Sequence, residues 1–237
     1  ALPIYNEIGS VQPIEAISEL LADKPTISFH VDAVQALAKI PTEKYLTERV
    51  DFATFSSHKF HGVRGVGFVY IKSGKKITPL LTGGGQERDY RSTTENVAGI
   101  AATAKALRLS MEKLDIFTSK TGQMKAVIRQ ALLDYPDIFV FSDEEDFAPH
   151  ILTFGIKGVR GEVIVHAFED YDIFISTTSA CSSKAGKPAG TLIAMGVDKD
   201  KAQSAVRLSL DLENDMSQVE QFLTKLKLIY NQTRKVR

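Results

Sequence analysis

Short apolar runs and helical stripes take turns along this chain. Ala1-Leu2-Pro3-Ile4-Tyr5 reads as the end of a buried strand running into a polar turn, with no initiator Met before it, so the chain is expected to begin inside a domain. Pro13 takes a first-turn position ahead of Ile14, Ile17, Leu20 and Leu21, whose spacing predicts a helix. Thr26 to Val31 predicts a strand that delivers Asp32 at its carboxyl end, and a short helix from about Ala33 to Ala38 is closed by Pro41. Val50 to Phe55 predicts a second strand, delivering Ser56 to Lys59 in the same way. Strands alternating with helices indicate a mainly parallel α/β sheet, whose sites lie off the carboxyl ends of the strands. Asp32 and Lys59 both fall there.

Gly62 to Gly67 makes a glycine-punctuated turn into Val66 to Ile71, an expected antiparallel strand, and Gly83-Gly84-Gly85 opens a loop through Thr94. A helix from Glu95 to about Lys113 sets Val97, Ile100, Ala101, Ala104, Leu107 and Met111 along one side and is expected to bridge two domains. Asp115 and Thr118 offer caps for a further helix to Leu133, stopped by Tyr135-Pro136. The rhythm then changes. Strands are expected at Ile138 to Phe141, His150 to Phe154, Ile173 to Ile175 and Val206 to Leu210, before a last helix from about Met216 to Asn231 with Val219, Phe222, Leu223, Leu226 and Ile229 facing the core. The resulting division is residues 1–114, the carboxyl-terminal part of a larger α/β domain with its bridging helix, and residues 115–237, a smaller α+β domain carrying the cysteine loop.

Composition narrows the classes. The 237 residues can bury a sizeable core without cross-links. Lysine plus arginine equals aspartate plus glutamate, 29 each, so no global field gathers nucleic acid. The basic end Arg234-Lys235-Val236-Arg237 reads as a solvated helix terminus. No apolar run approaches the ~20 residues of a membrane span, and the chain is expected to be soluble and cytoplasmic. A single cysteine forbids an intrachain disulfide and makes Cys181, in Ser179-Ala180-Cys181-Ser182-Ser183, a candidate nucleophile among small polar residues.

The chemistry-bearing residues each have a plain alternative. Lys59 can hold an aldehyde cofactor as a Schiff base, or be a surface lysine on a loop. Asp32 and Gln35 can point into one cleft, the acid keeping a pyridine nitrogen protonated; Asp32 can equally be an ordinary helix cap. Ser56 and His58 suit a phosphate or an imine, while His58 and His61 lack the further ligands of a metal site. Arg88, Arg91 and Thr94 can reach a phosphate, a partner subunit or only solvent, and no Gly-Lys-Ser/Thr follows the glycines as a nucleotide loop would require. Arg207, inside an apolar strand, can clamp a carboxylate or face outward by strand alternation.

Taken in order, the motifs Asn6-Glu7-Ile8-Gly9, Asp32-Ala33-Val34-Gln35, Ser56-Ser57-His58-Lys59 with His61-Gly62, Gly83 to Arg88, Arg91-Ser92 with Thr94-Glu95-Asn96, Ser179 to Ser183 and Val206 to Leu210 span almost the whole chain. Their set resembles the NifS/IscS-like cysteine desulfurases of the class V aminotransferase family. The resemblance implies part of the pyridoxal-phosphate-dependent transferase fold of aspartate aminotransferase type (fold type I), with an incomplete, mainly parallel sheet and a smaller α+β domain. It implies that Lys59 holds pyridoxal phosphate, that Asp32 pairs with its ring nitrogen, and that Gln35 and Asn6 lie on its hydroxyl side. Ser56, Ser57 and His58 would belong to the cofactor site, Ser56 and His58 at the phosphate, and Thr94 would reach the cofactor phosphate of the opposite subunit of a homodimer. Arg207 and Asn6 would hold the substrate carboxylate, and Cys181 would accept sulfur.

The implied reaction removes sulfur from L-cysteine, leaving L-alanine and a persulfide on Cys181. The freed Lys59 amine takes the α-proton, and a base must help the thiol, whose ordinary pKa is ~8.5. The loop from about Ser176 to Pro188 is expected to carry the persulfide to an acceptor protein, an iron–sulfur scaffold or a tRNA-thiolating enzyme, with no direct contact to nucleic acid or membrane. Thr93 departs from the glycine usual before the threonine. The family's amino-terminal region, with its phosphate-binding Gly-Thr turn and ring-stacking histidine, has no counterpart here, so little activity is expected of this polypeptide alone. The alternatives are another class V aminotransferase, a selenocysteine lyase, or a non-catalytic dimerisation or docking fragment.

Overall fold

The computed structural model describes residues 1–142, 145–178 and 190–235. These fall into two compact units, one of Ala1–Pro3 and Gln12–Leu114, the other of Ile4–Val11 and Asp115–Arg237.

In the first unit, helix α1 (Ile14–Leu20) starts directly after Pro13 and buries Ile14 and Ser18, leaving the expected core residue Leu20 exposed. Strand β1 is only His30–Asp32, much shorter than the apolar run before it predicts. The cause is Asp51. Its buried Oδ2 accepts the Phe29 N–H (2.8 Å), and the Phe29 carbonyl accepts the Asp51 and Phe52 N–H groups, so the chain before His30 is spent on this junction. The expected helix from Ala33 to Ala38 is a series of turns, broken by Ala38 at φ 59°. Strand β2 (Phe52–Ser56) runs parallel to β1 with Asp32 opposite Thr54, and β3 (Gly67–Ile71) pairs antiparallel to β2, giving the order β1-β2-β3.

Helix α2 (Val97–Met111) is capped by Asn96, whose side chain accepts the Gly99 N–H. It buries Gly99 and Thr103, while Val97 and Ile100 on the predicted apolar stripe stay exposed. Small residues on the buried side let α2 approach the turn after β2 closely: Ser110 Oγ donates to the Phe60 carbonyl (3.1 Å).

The second unit begins within α3 (Leu114–Leu133), which buries Phe117, Met124, Ile128 and Leu132 at helical spacing. Strands β4 (Ile138–Val140) and β5 (Ile151–Ile156), helix α4 (Gly161–Glu169), strand β6 (Ser176–Thr177), helices α5 (Gly190–Ala194) and α6 (Lys199–Gln203), strand β7 (Val206–Ser209) and helix α7 (Met216–Lys235) follow. The sheet order is β4-β5-β7-β6, antiparallel throughout. No strand forms at Ile173 to Ile175, because the Ile173 N–H donates to Phe168 at the end of α4 and postpones pairing to Ser176. Phe222 of α7 stacks on Phe168 (5.0 Å between centroids) and meets Phe154 edge-on, closing the core with Val219, Leu226 and Ile229.

Ile4–Val11 forms no strand, only the isolated bridges Ile4 to Val11 and Ser10 to Phe147, contrary to the reading of Ala1 to Tyr5. It is a loop turned by Gly9 at φ 81°, where a Cβ would lie 2.8 Å from that of Ile151. Its successive carbonyls from Asn6 to Gly9 accept from Arg207 Nη1, Thr153 Oγ1, Ser142 Oγ and the Ala148 N–H, which fastens the segment to the second unit.

Candidate functional site

The first unit brings Asp32 and Lys59 to one edge of its sheet. Asp32 ends β1, and its register opposite Thr54 places it beside the end of β2, where the chain enters a 3-10 turn over Ser57–Phe60. Both segments leave the carboxyl ends of adjacent parallel strands, the position at which α/β sheets present ligand-binding groups. Val34 N–H donates to Asp32 Oδ1 (3.2 Å), the local bond of a turn cap, and among the described residues no donor meets Oδ2. Asp32, Gln35, Ser56 and Lys59 are half-buried and His58 is exposed.

The turn that carries Lys59 is tightly fixed. Ser57 N–H donates to the Val66 carbonyl (3.0 Å), Gly62 N–H donates back to Ser57 (2.9 Å), and His61 closes the turn at φ 65°. Ser57 itself is fully buried, with its Oγ 2.9 Å from Thr103 Oγ1 of α2, which donates to the Gly99 carbonyl at 2.7 Å. The structure therefore places Ser57, expected among the cofactor-site residues, inside the unit as an anchor for the turn. Alternation along the chain leaves Ser56 and His58 as its more open neighbours. Thr103 is a positioning residue that the sequence reading missed; the small residues Gly99 and Thr103, four apart on one helix face, were its only signal.

Arg88, Arg91 and Thr94 are exposed on the loop after the glycines, and Glu87, Arg88 and Asp89 in succession adopt left-handed φ values of 50°, 57° and 67°. Such a run costs roughly 1 kcal/mol per non-glycine residue.

In the second unit, β7 alternates so that Val206 and Leu208 enter the core while Arg207 lies on the opposite face. There Nη1 of Arg207 donates to the Asn6 carbonyl oxygen at 2.8 Å. The two residues expected to hold the substrate carboxylate are thus in direct contact. Cys181, and all but residues 176–178 of the loop from about Ser176 to Pro188 expected to carry it, lie outside the described residues; Ser176–Thr177 form β6. Among the described residues no three His, Cys, Asp or Glu side chains gather as metal ligands, and no helix is long and apolar enough to cross a membrane.

A phosphate-bearing pyridine aldehyde needs an amine, an acid for its ring nitrogen and donors for its phosphate. Lys59, Asp32 with its available oxygen, and Ser56 with His58 supply that donor set at one sheet edge, so the residues present fit the group.

The aminotransferase class-V family model matches residues 2–222. The chain is 49% identical over 234 residues to a NifS/IcsS protein homolog of Lactobacillus delbrueckii subsp. bulgaricus, covering 98% of this chain and 61% of the relative. It is 36% identical to the cysteine desulfurase IscS of Clostridium botulinum, covering 98% of this chain and 58% of that protein. Among solved structures, a NifS-like protein superposes with a TM-score of 0.87 at 34% identity, covering 97% of this chain and 60% of that one. The apo cysteine desulfurase of Thermococcus onnurineus NA1, at 18% identity and a TM-score of 0.82, shares the fold. The chain spans about three fifths of the length of the curated relatives it matches. With a family model matched over nearly its whole length and relatives of this identity, the chain belongs to the class-V aminotransferases, a family of pyridoxal-phosphate-dependent enzymes.

Proposed function

We propose that the chain is the part of a cysteine desulfurase that supplies the lysine and the sulfur-accepting cysteine. The observation that carries this reading is the placement of Asp32 and Lys59 at the carboxyl ends of two adjacent parallel strands. Lys59 Nζ would hold pyridoxal phosphate, the Asp32 carboxylate would keep a proton on its ring nitrogen, Gln35 and Asn6 would contact its hydroxyl side, and Ser56 and His58 would bind its phosphate. When bound, the cofactor supplies a ring that withdraws charge from the substrate α-carbon.

The rest belongs to the chain's own groups. The Lys59 amine takes the proton from the α-carbon and returns one to the product. Arg207, oriented by its bond to Asn6, would hold the substrate carboxylate. The Cys181 thiolate attacks the sulfur of L-cysteine; the carbon–sulfur bond breaks, a sulfur–sulfur bond forms, and L-alanine leaves with the proton. Cys181 then bears a persulfide for an acceptor protein, an iron–sulfur scaffold or a tRNA-thiolating enzyme. The reading includes a cytoplasmic homodimer in which Thr94 serves the partner subunit's cofactor.

The test is the absorbance spectrum of the purified chain with pyridoxal phosphate, beside Lys59→Ala. A visible band distinct from free cofactor and lost in the variant is expected, followed by sulfide release from cysteine that Cys181→Ser abolishes. A second reading is a docking piece without its own chemistry, and absence of the band decides for it.

A further inference from the structure

Strand β5 is buried along its whole length, and its one polar side chain, Thr153, has no exposure at all. Valine has nearly the same shape and suits a strand as well, so a hydroxyl at this depth must answer to a hydrogen bond. Its Oγ1 donates to the Glu7 carbonyl at 2.8 Å. In the β5–β7 register Thr153 stands directly opposite Arg207, on the same face of the sheet, and Arg207 Nη1 donates to the preceding carbonyl, that of Asn6. One cross-strand pair therefore holds two successive peptide groups. Ser142 completes the arrangement, its Oγ accepting the Thr153 N–H at 2.9 Å and donating to the Ile8 carbonyl at 2.6 Å. The side chains of the held residues are treated differently. Among the described residues no hydrogen bond reaches the Asn6 amide or the Glu7 carboxyl, although Glu7 Oε2 is buried. A segment whose carbonyls are fixed from Asn6 to Gly9 while these polar side chains stay uncommitted is built to present them.

We infer that Thr153 is a positioning residue of the substrate site: through the Glu7 carbonyl it sets the peptide planes after Asn6, and with them the place at which the Asn6 amide and the Arg207 guanidinium receive the carboxylate of an α-amino acid. The inference rests on the proposed role of Arg207 and Asn6 toward that carboxylate. A threonine is a short arm, stiff about its first side-chain bond, whereas an arginine is long and has many rotamers. Without the hydroxyl the Glu7 carbonyl loses its donor, and the Asn6 carbonyl is held by the arginine alone. The guanidinium would then have to steady its own platform and bind the ligand, two tasks that the Thr153 hydroxyl separates.

The experiment follows the Arg207 Nε–H signal of the full chain by heteronuclear NMR, assigned by its loss in Arg207→Lys, while L-alanine, the product of the proposed reaction, is added. The parent is expected to show a saturable shift. Thr153→Val should raise the apparent dissociation constant about tenfold, and Thr153→Ser, which keeps the hydroxyl, should stay within about twofold of the parent. Each protein is read well below its melting temperature, because an orphaned buried carbonyl also lowers stability. Should Thr153→Val not fold, Thr153→Ala is read in its place. Equal affinity in the parent and the hydroxyl-free variant, with only the melting temperature lowered, would make Thr153 a purely structural residue and overturn the inference while leaving the carboxylate clamp standing. An Arg207 signal in the parent that does not respond to L-alanine overturns the clamp and the inference together. The titration is run without pyridoxal phosphate, so its outcome does not depend on cofactor uptake.

Discussion

Arg207 and Asn6, 201 residues apart in the chain, are joined by a 2.8 Å hydrogen bond from the guanidinium to a backbone carbonyl. The bond fixes the start of the Asn6 to Gly9 loop on the sheet of the second unit, so Arg207 has a structural role whatever ligand it holds. Arg207→Ala should lower stability by about 2 kcal/mol, the worth of a hydrogen bond from a charged donor. Arg207→Lys should recover less than half of that, because a point charge does not reproduce the planar fork. Urea unfolding of the two variants checks both expectations.

Asp32 lends itself to a separation of roles. Asparagine preserves the oxygen that accepts the Val34 N–H and removes the charge. Asp32→Asn should therefore unfold within about 0.5 kcal/mol of the parent, as expected when a cap is exchanged for an equally good one. Its affinity for pyridoxal phosphate, read by spectral titration, should fall. Equal affinity would leave Asp32 a turn cap only.

Gly62 and Ser57 should be energetically coupled. A Cβ on residue 62 would lie 1.9 Å from Ser57 Oγ and 2.9 Å from its carbonyl oxygen. Gly62→Ala should cost about 1–3 kcal/mol by overpacking. Adding Ser57→Ala removes the first clash and keeps the second, so the double variant should regain about 1 kcal/mol of it, a coupling measurable in a thermal-melt cycle.

Asp51 sets the acid stability of the first unit. Burial raises its pKa, but hydrogen bonds from the Phe29 N–H, Arg49 and Lys75, with the Lys75 charge, outweigh that and hold the carboxyl below its usual range. Arg49 Nη1 lies 2.9 Å and Lys75 Nζ 3.1 Å from its oxygens. A folded-state pKa below the unfolded value of ~3.9 gives stability that is fully present above that value and lost as pH falls through the folded one. The parent should therefore lose stability below about pH 4 more steeply than Asp51→Asn, as read from urea midpoints across this window. Asp51→Ala, which leaves Arg49 and the Phe29 N–H without their acid, should cost about 3–5 kcal/mol at neutral pH.

The elements that carry the candidate chemistry were legible because their signals are local. Lys59 follows a run of strand formers, and Val219, Phe222, Leu226 and Ile229 repeat at helical spacing and are buried as that spacing requires. What was not legible depends on distant partners. The strand before His30 is shortened by Asp51, which lies 22 residues beyond Phe29, and no pattern near Thr26 announces it. The stripe on α2 was read as a buried face, but the turn after β2 takes the side with Gly99 and Thr103 instead. Ser57 and Ser56 are chemically identical in sequence; only the reach of Thr103 distinguishes the anchored hydroxyl from the more open one.

The turn from Ser57 to Gly62 is closed upon itself, tied to the Val66 carbonyl and anchored to α2 through Thr103. Its Lys59 is accordingly an arm on a stationary pivot. In the proposed role, in which the Lys59 amine takes hold of a carbonyl carbon and then lets go, it would swing only about its own side-chain bonds. The disorder to be restrained in doing so is that of one lysine side chain, about 2 kcal/mol, and not that of a loop.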